Sequence, residues 1–141
     1  MTPLQMVREY HETAGLDLDL SVPKTSSLED FEPWYDEVGK EYAKKVVSAG
    51  RLREELIKEE VEEVLGVSDK FEYLLKELAD LVYVTYGYAA TFGMDLDEAL
   101  KRVHENNMGR MYQDDGTIKR REDGKIIKNP SYPKVDLSDL V

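Results

Sequence analysis

Cysteine is missing altogether. Disulfides and thiolate metal sites are therefore excluded, and only oxygen ligands and the two histidines remain to hold a metal. A charge-free apolar run long enough to span a bilayer is also missing. The longest apolar stretch, Leu78 to Met94, is broken by Asp80 and has tyrosines scattered through it. The N-terminal MTPLQMVREYHE lacks the basic-then-apolar pattern of a secretory leader, so the expected location is the cytoplasm. Positive charge is scarce: 19 Lys and Arg stand against 30 Asp and Glu, a formal net charge of -11. That balance argues against a surface for nucleic-acid duplexes.

What is present is 141 residues, the size of one domain with a real core. Its pattern predicts three regions, with N-terminal helices and a loop over 1–50, site-bearing helices over 51–111 and a basic tail over 112–141. Thr2 and Pro3 start a first helix that presents Leu4, Val7 and Tyr10 and ends at Gly15. Residues 15–27 read as a loop, followed by a helix with a Ser27/Asp30 capping box, Pro33 in its first turn and a core face of Trp34, Val38, Tyr42 and Val46. Gly50 is expected to break or kink that helix. Further helices follow over about Leu52–Leu65, Phe71–Thr91 and, from an Asp95/Glu98 capping box, to about Met111. TIKRREDGKIIK in the tail carries the Asp-Gly signal of a hairpin. The expected fold is an all-α bundle of about five helices with a short C-terminal β-hairpin extension.

Acidic side chains stand where apolar ones belong. On a wheel with Leu52 at zero, Glu63 falls near 20° and Glu60 near 80°, inside an arc that holds Leu56, Val64 and Ile57. On the next helix Glu77 shares the arc of Leu81, Val84 and Tyr88, with Asp80 at its border. Asp80 alone has a bland explanation, a rim position paired with a lysine. Two facing acidic pairs at spacing i, i+3 are different, because four converging carboxylates repel strongly at low dielectric unless cations sit among them. Oxygen ligands favour a hard ion, Mg²⁺ with Mn²⁺ as substitute. Asn107 lies on the apolar line of Leu100, Val103 and Met111 with Arg110 at its edge, and these two are candidate phosphate or sugar contacts. His104, on the same face, is expected to pack. Seven basic residues against four acidic ones between Arg110 and Lys134 suit a polyanion held by metal on the body and by the tail's cations.

EEVEE (Glu59 to Glu63), followed by ELAD (Glu77 to Asp80), resembles the EExxE and ExxD motif pair of the MazG-like all-α nucleoside triphosphate pyrophosphohydrolases. VHENNMGRM (Val103 to Met111) resembles that family's Asn-containing third segment, and the tail resembles the extension of small phage and bacterial members. The resemblance covers roughly residues 52–136, with Asn106 where a small residue is frequent and Arg110 where lysine is. It implies Glu60, Glu63, Glu77 and Asp80 as ligands of two or three Mg²⁺ ions, and Glu59, Glu60 and Glu63 as the catalytic acids. It also implies cleavage of a (deoxy)nucleoside triphosphate to monophosphate and pyrophosphate. The site helices are apolar on more sides than one small domain can cover, so a homodimer or homotetramer is expected. Arg110, Lys125 and Lys128 are candidate contacts to the departing pyrophosphate, and His11, Trp34 and Tyr10 are candidates to stack on the base. The expected substrate is dGTP. Alternatives are dCTP or dUTP, phosphoribosyl-ATP, or a noncatalytic acidic helical binding protein, against which the inward carboxylates count.

Overall fold

The computed structural model describes residues 1–21 and 37–141. The expected helix start at Ser27 and Asp30, Pro33, Trp34 and the Val38 side chain lie outside the described residues. Among the described residues there are four α-helices: α1 (Pro3–Ala14), α2 (Glu37–Gly66), α3 (Phe71–Thr91) and α4 (Leu96–Arg110). They fall into two compact units, Met1–Asp95 and Leu96–Val141.

In the first unit, α1 starts where Thr2 and Gln5 cap each other, the Thr2 hydroxyl accepting from the Gln5 N–H and the Gln5 side chain accepting from the Thr2 N–H. It ends at Gly15, whose φ of 70° turns the chain out of the helix. Its buried residues are Val7 and His11, while Tyr10, expected on that face, is exposed. The chain then runs along the end of α3. The Asp19 and Leu20 N–H groups donate to the Ala90 and Thr91 carbonyls at 3.1 and 2.8 Å, and Arg8 grips Asp19 with both arms of its guanidinium. Leu20, Val46 and Ala49 form a core packed against Tyr42 and Phe92.

α2 is continuous through Gly50, where a break or kink was expected. A mid-helix glycine costs about 1 kcal/mol relative to alanine, and the burial of Ala43, Val46 and Ala49 just before it outweighs that cost. α3 has the expected bounds but not the expected burial. Its C-terminal part, Tyr86, Gly87 and Ala89–Thr91, is buried, whereas Phe71, Tyr73, Leu75, Leu78 and Val82 are exposed. Packing of α2 and of α1 on α3 gives this unit its helix contacts.

In the second unit the tail folds back on α4. Arg102 pairs with Glu98 one turn before it and forks onto Asp139 at 2.6 and 3.0 Å. The Asn106 amide donates to the Pro133 carbonyl, and Tyr132 lies so close to Gly109 that a Cβ there would overlap its ring. Buried Asn129 donates its amide to the Tyr112 carbonyl and Asp114. The hairpin shrinks to a single antiparallel bridge, Arg120 with Ile126, around the Asp123-Gly124 turn. Its strands are too short and polar to bury a face, so no sheet forms among the described residues.

Candidate active site

Antiparallel packing of α2 on α3 sets Glu60 opposite Glu77 and Asp80. One carboxylate oxygen from each lies within 4.8 Å of the others, and all three are half-buried. The i, i+3 step brings Glu77 and Asp80 onto one face of α3. Half-burial raises the Glu60 pKa, and the charges of Asp80, Glu77 and Glu63 raise it further while Lys76 opposes them.

A cation already stands in this cluster. The Lys76 ammonium is 2.5 Å from Asp80 Oδ2 and 3.5 Å from Glu77 Oε1. The hydrogen bond to Asp80 and the charges of Asp80 and Glu77 raise its own pKa. So the lysine partner that explained Asp80 blandly is present, yet the ammonium faces only part of the triad. Three carboxylates attracting a positive group form an all-oxygen donor set that fits a hard divalent ion. Lys76 went unnoticed in the sequence because an exposed lysine one turn from an acid looks like an ordinary surface pair.

The fourth expected ligand stands apart. Glu63 is exposed and outside the triad, although its charge reaches Glu60. Glu59, also exposed, joins Glu62, Glu63, Gly66 and Val67 around an open groove of about 300 Å³. At the other end of the α2–α3 pair, His11 is 1% exposed, with Nδ1 3.0 Å from the Asp17 carbonyl. Buried Arg53 was not anticipated at all. Asn107, Arg110, Lys125 and Lys128 belong to the second unit. Asn107 and the two lysines are exposed, and Arg110 Nε is buried without a hydrogen-bond partner among the described residues. His104 is exposed, which corrects the packing role expected for it, because α4 buries no residue fully.

The arrangement gathers acids at one level of a helix pair and can hold a divalent cation against a polyanion. Residues 32–107, over half of the chain, match the family model described as phosphoribosyl-ATP pyrophosphohydrolase. That span contains the whole triad. No curated protein matches the chain. No helix among the described residues is long and apolar enough to cross a membrane.

Proposed function

Because the chain belongs to the phosphoribosyl-ATP pyrophosphohydrolase family, within the MazG-like all-α superfamily of phosphoanhydride hydrolases, we propose that it cleaves a (deoxy)nucleoside triphosphate between the α- and β-phosphates. The first-choice substrate is dGTP. The observation that carries the reading is the convergence of Glu60, Glu77 and Asp80.

In this proposal Glu60, Glu77 and Asp80 would hold Mg²⁺ in place of the Lys76 ammonium. When bound, Mg²⁺ neutralises phosphate charge and lowers the pKa of water. Glu63 or Glu59, both solvent-facing and close in sequence to Glu60, accepts the one proton that the attacking water releases. Water oxygen bonds to the α-phosphorus, the bond from that phosphorus to the bridging oxygen breaks, and the products are a nucleoside monophosphate and pyrophosphate. Arg110, Lys125 and Lys128 are assigned to phosphate oxygens and Asn107 to the sugar or a phosphate on the chemistry of their side chains.

A second substrate, phosphoribosyl-ATP, is favoured by the description of the matching family. Its chemistry is the same hydrolysis of an α–β phosphoanhydride. Product analysis with Mg²⁺ over the ribo- and deoxynucleoside triphosphates and phosphoribosyl-ATP separates the two. Monophosphate and pyrophosphate from dGTP, lost in Asp80→Asn, is the expected result. Diphosphate and phosphate, or turnover indifferent to Asp80, would sink the proposal.

A further inference from the structure

Two helical turns from the carboxylates stands a cation that the mechanism does not use. Arg53 precedes Glu60 by seven residues on α2, and Gly87 follows Asp80 by seven on α3. Seven steps return a side chain nearly to its own face, about 10 Å along the axis. Arg53 and Gly87 therefore continue the same α2–α3 seam.

Arg53 is 7% exposed, and no carboxylate of the described residues pairs with it within 4 Å. Asp17, whose charge it feels, is engaged by Lys45 at 3.1 Å. Desolvation lowers the Arg53 pKa more than Asp17 and Tyr10 raise it. The guanidinium lies on α3 where a side chain is missing: a Cβ on Gly87 would be 2.9 Å from Arg53 Nη1 and 3.3 Å from His11 Nε2. None of its nitrogens is sealed from solvent without a partner among the described residues, so the fork stands open to a ligand's acceptors. Beside it opens a cavity of about 110 Å³, lined also by the Gly15–Asp17 turn, Ala49, Leu52 and Thr91.

We propose that this cavity receives the edge of the substrate's base and that Arg53 reads it through two adjacent acceptors. Guanine offers such a pair in O6 and N7, the commonest specific partner of arginine, whereas adenine sets a donor beside N7. The cavity is smaller than the ~150 Å³ that encloses a benzene, so it takes a ring edge while sugar and phosphates extend along the seam toward Glu60 and Asp80. A free phosphate would also supply acceptors, and its titration beside the nucleosides tells the two apart. The assignment rests on the pyrophosphohydrolase reading for its substrate and on Arg53 and the cavity for its selectivity.

The test measures kcat/KM for dGTP, dCTP, dATP and dTTP with Mg²⁺ in wild type, Arg53→Lys and Leu52→Phe. In parallel, deoxyguanosine, deoxyadenosine and inorganic phosphate are titrated into the metal-free wild-type chain, and the backbone amide signals of residues 49–53 are followed by NMR. Lysine keeps the charge and loses the fork, while phenylalanine at the half-exposed Leu52 crowds the cavity lining and leaves the guanidinium in place. A guanine preference over adenine that falls about 10- to 100-fold in both variants, mostly through KM, is expected. A preference for dCTP that depends on Arg53 in the same way also supports the paired-acceptor reading, since cytosine offers N3 and O2. An unchanged preference in either folded variant overturns the pocket and leaves the hydrolase reading intact. If no triphosphate is cleaved but deoxyguanosine alone shifts those amides, the pocket stands and the hydrolase reading falls. Shifts by phosphate alone, or by neither nucleoside, overturn the pocket.

Discussion

Lys76 occupies oxygens that the proposed metal ion would need. With its ammonium 2.5 Å from Asp80, the lysine neutralises part of the triad, and on the proposed reading an arriving ion would displace it. Lys76→Met should therefore lower the melting temperature of the metal-free protein and enlarge the rise that Mg²⁺ produces. A ligand present at about 100 times its Kd stabilises by about 2.7 kcal/mol, a shift easily read by calorimetry. An Mg²⁺ shift unchanged by Lys76→Met would show that the ion binds elsewhere. The triad was legible in the sequence, because the wheels place Glu60 and Glu77 well inside apolar arcs and Asp80 one turn beyond Glu77. Glu63 lies outside the triad: near 20° it sits toward the margin of its arc, where a small rotation of α2 decides between seam and solvent. Arg53 could have been found by the same wheel, which puts it near 100°, between Glu60 and Val64. It was passed over because one arginine on a charged helix is ordinarily solvated.

Elements were read best where a local signal ends them and worst where tertiary packing overrules one. Thr2, Pro3 and Gly15 bound α1 by their own chemistry, and α3 kept its expected bounds. Gly50 had no such authority over a helix that packs along its length. Gly87 has a different role, since its missing side chain is what lets α1, α2 and α3 meet through His11 and Arg53. Alanine is the better helix former by about 1 kcal/mol, yet Gly87→Ala should destabilise the protein by roughly 1–3 kcal/mol through overpacking. A melting temperature that rises instead would mean that the guanidinium yields freely. The connection after α1 carries a pH signature. The hydrogen bonds and charge of Arg8 depress the Asp19 pKa. A carboxylate depressed in the folded state stabilises fully above its unfolded pKa, near 3.9, and that contribution is lost as the pH falls through the folded pKa. Asp19 is more than half exposed, so after solvent screening the fork contributes about 0.5 kcal/mol. Asp19→Asn should melt slightly earlier than wild type at pH 7, with the gap closing in strong acid. A gap that widens toward low pH would reverse the assignment.

At the scale of the whole molecule the unexplained quantity is apolar surface. Phe71 and Leu75 are 80% and 77% exposed, and Leu65, Tyr73, Leu78 and Val82 are exposed with them along the end of α2 and the first half of α3. A cluster of that kind on an isolated chain is the usual sign of an interaction surface, and α3, apolar on most sides in sequence, has half of its length facing solvent. We propose a second copy of the chain as the partner, giving a homodimer or a pair of dimers. A stable interface needs roughly 800 Å² from each partner, and helix faces carrying several large apolar side chains are of that order. Net charge opposes the association, because two chains of -11 repel. Salt screens that repulsion without weakening apolar contact. Sedimentation should therefore show a dimer or tetramer whose dissociation constant falls as ionic strength rises from low to physiological values. Leu75→Glu should shift the population to monomer, with the α-helical circular dichroism retained at low temperature and melting earlier. A wild-type chain that sediments as a monomer at tens of micromolar in physiological salt would remove the second copy as the cover for α3.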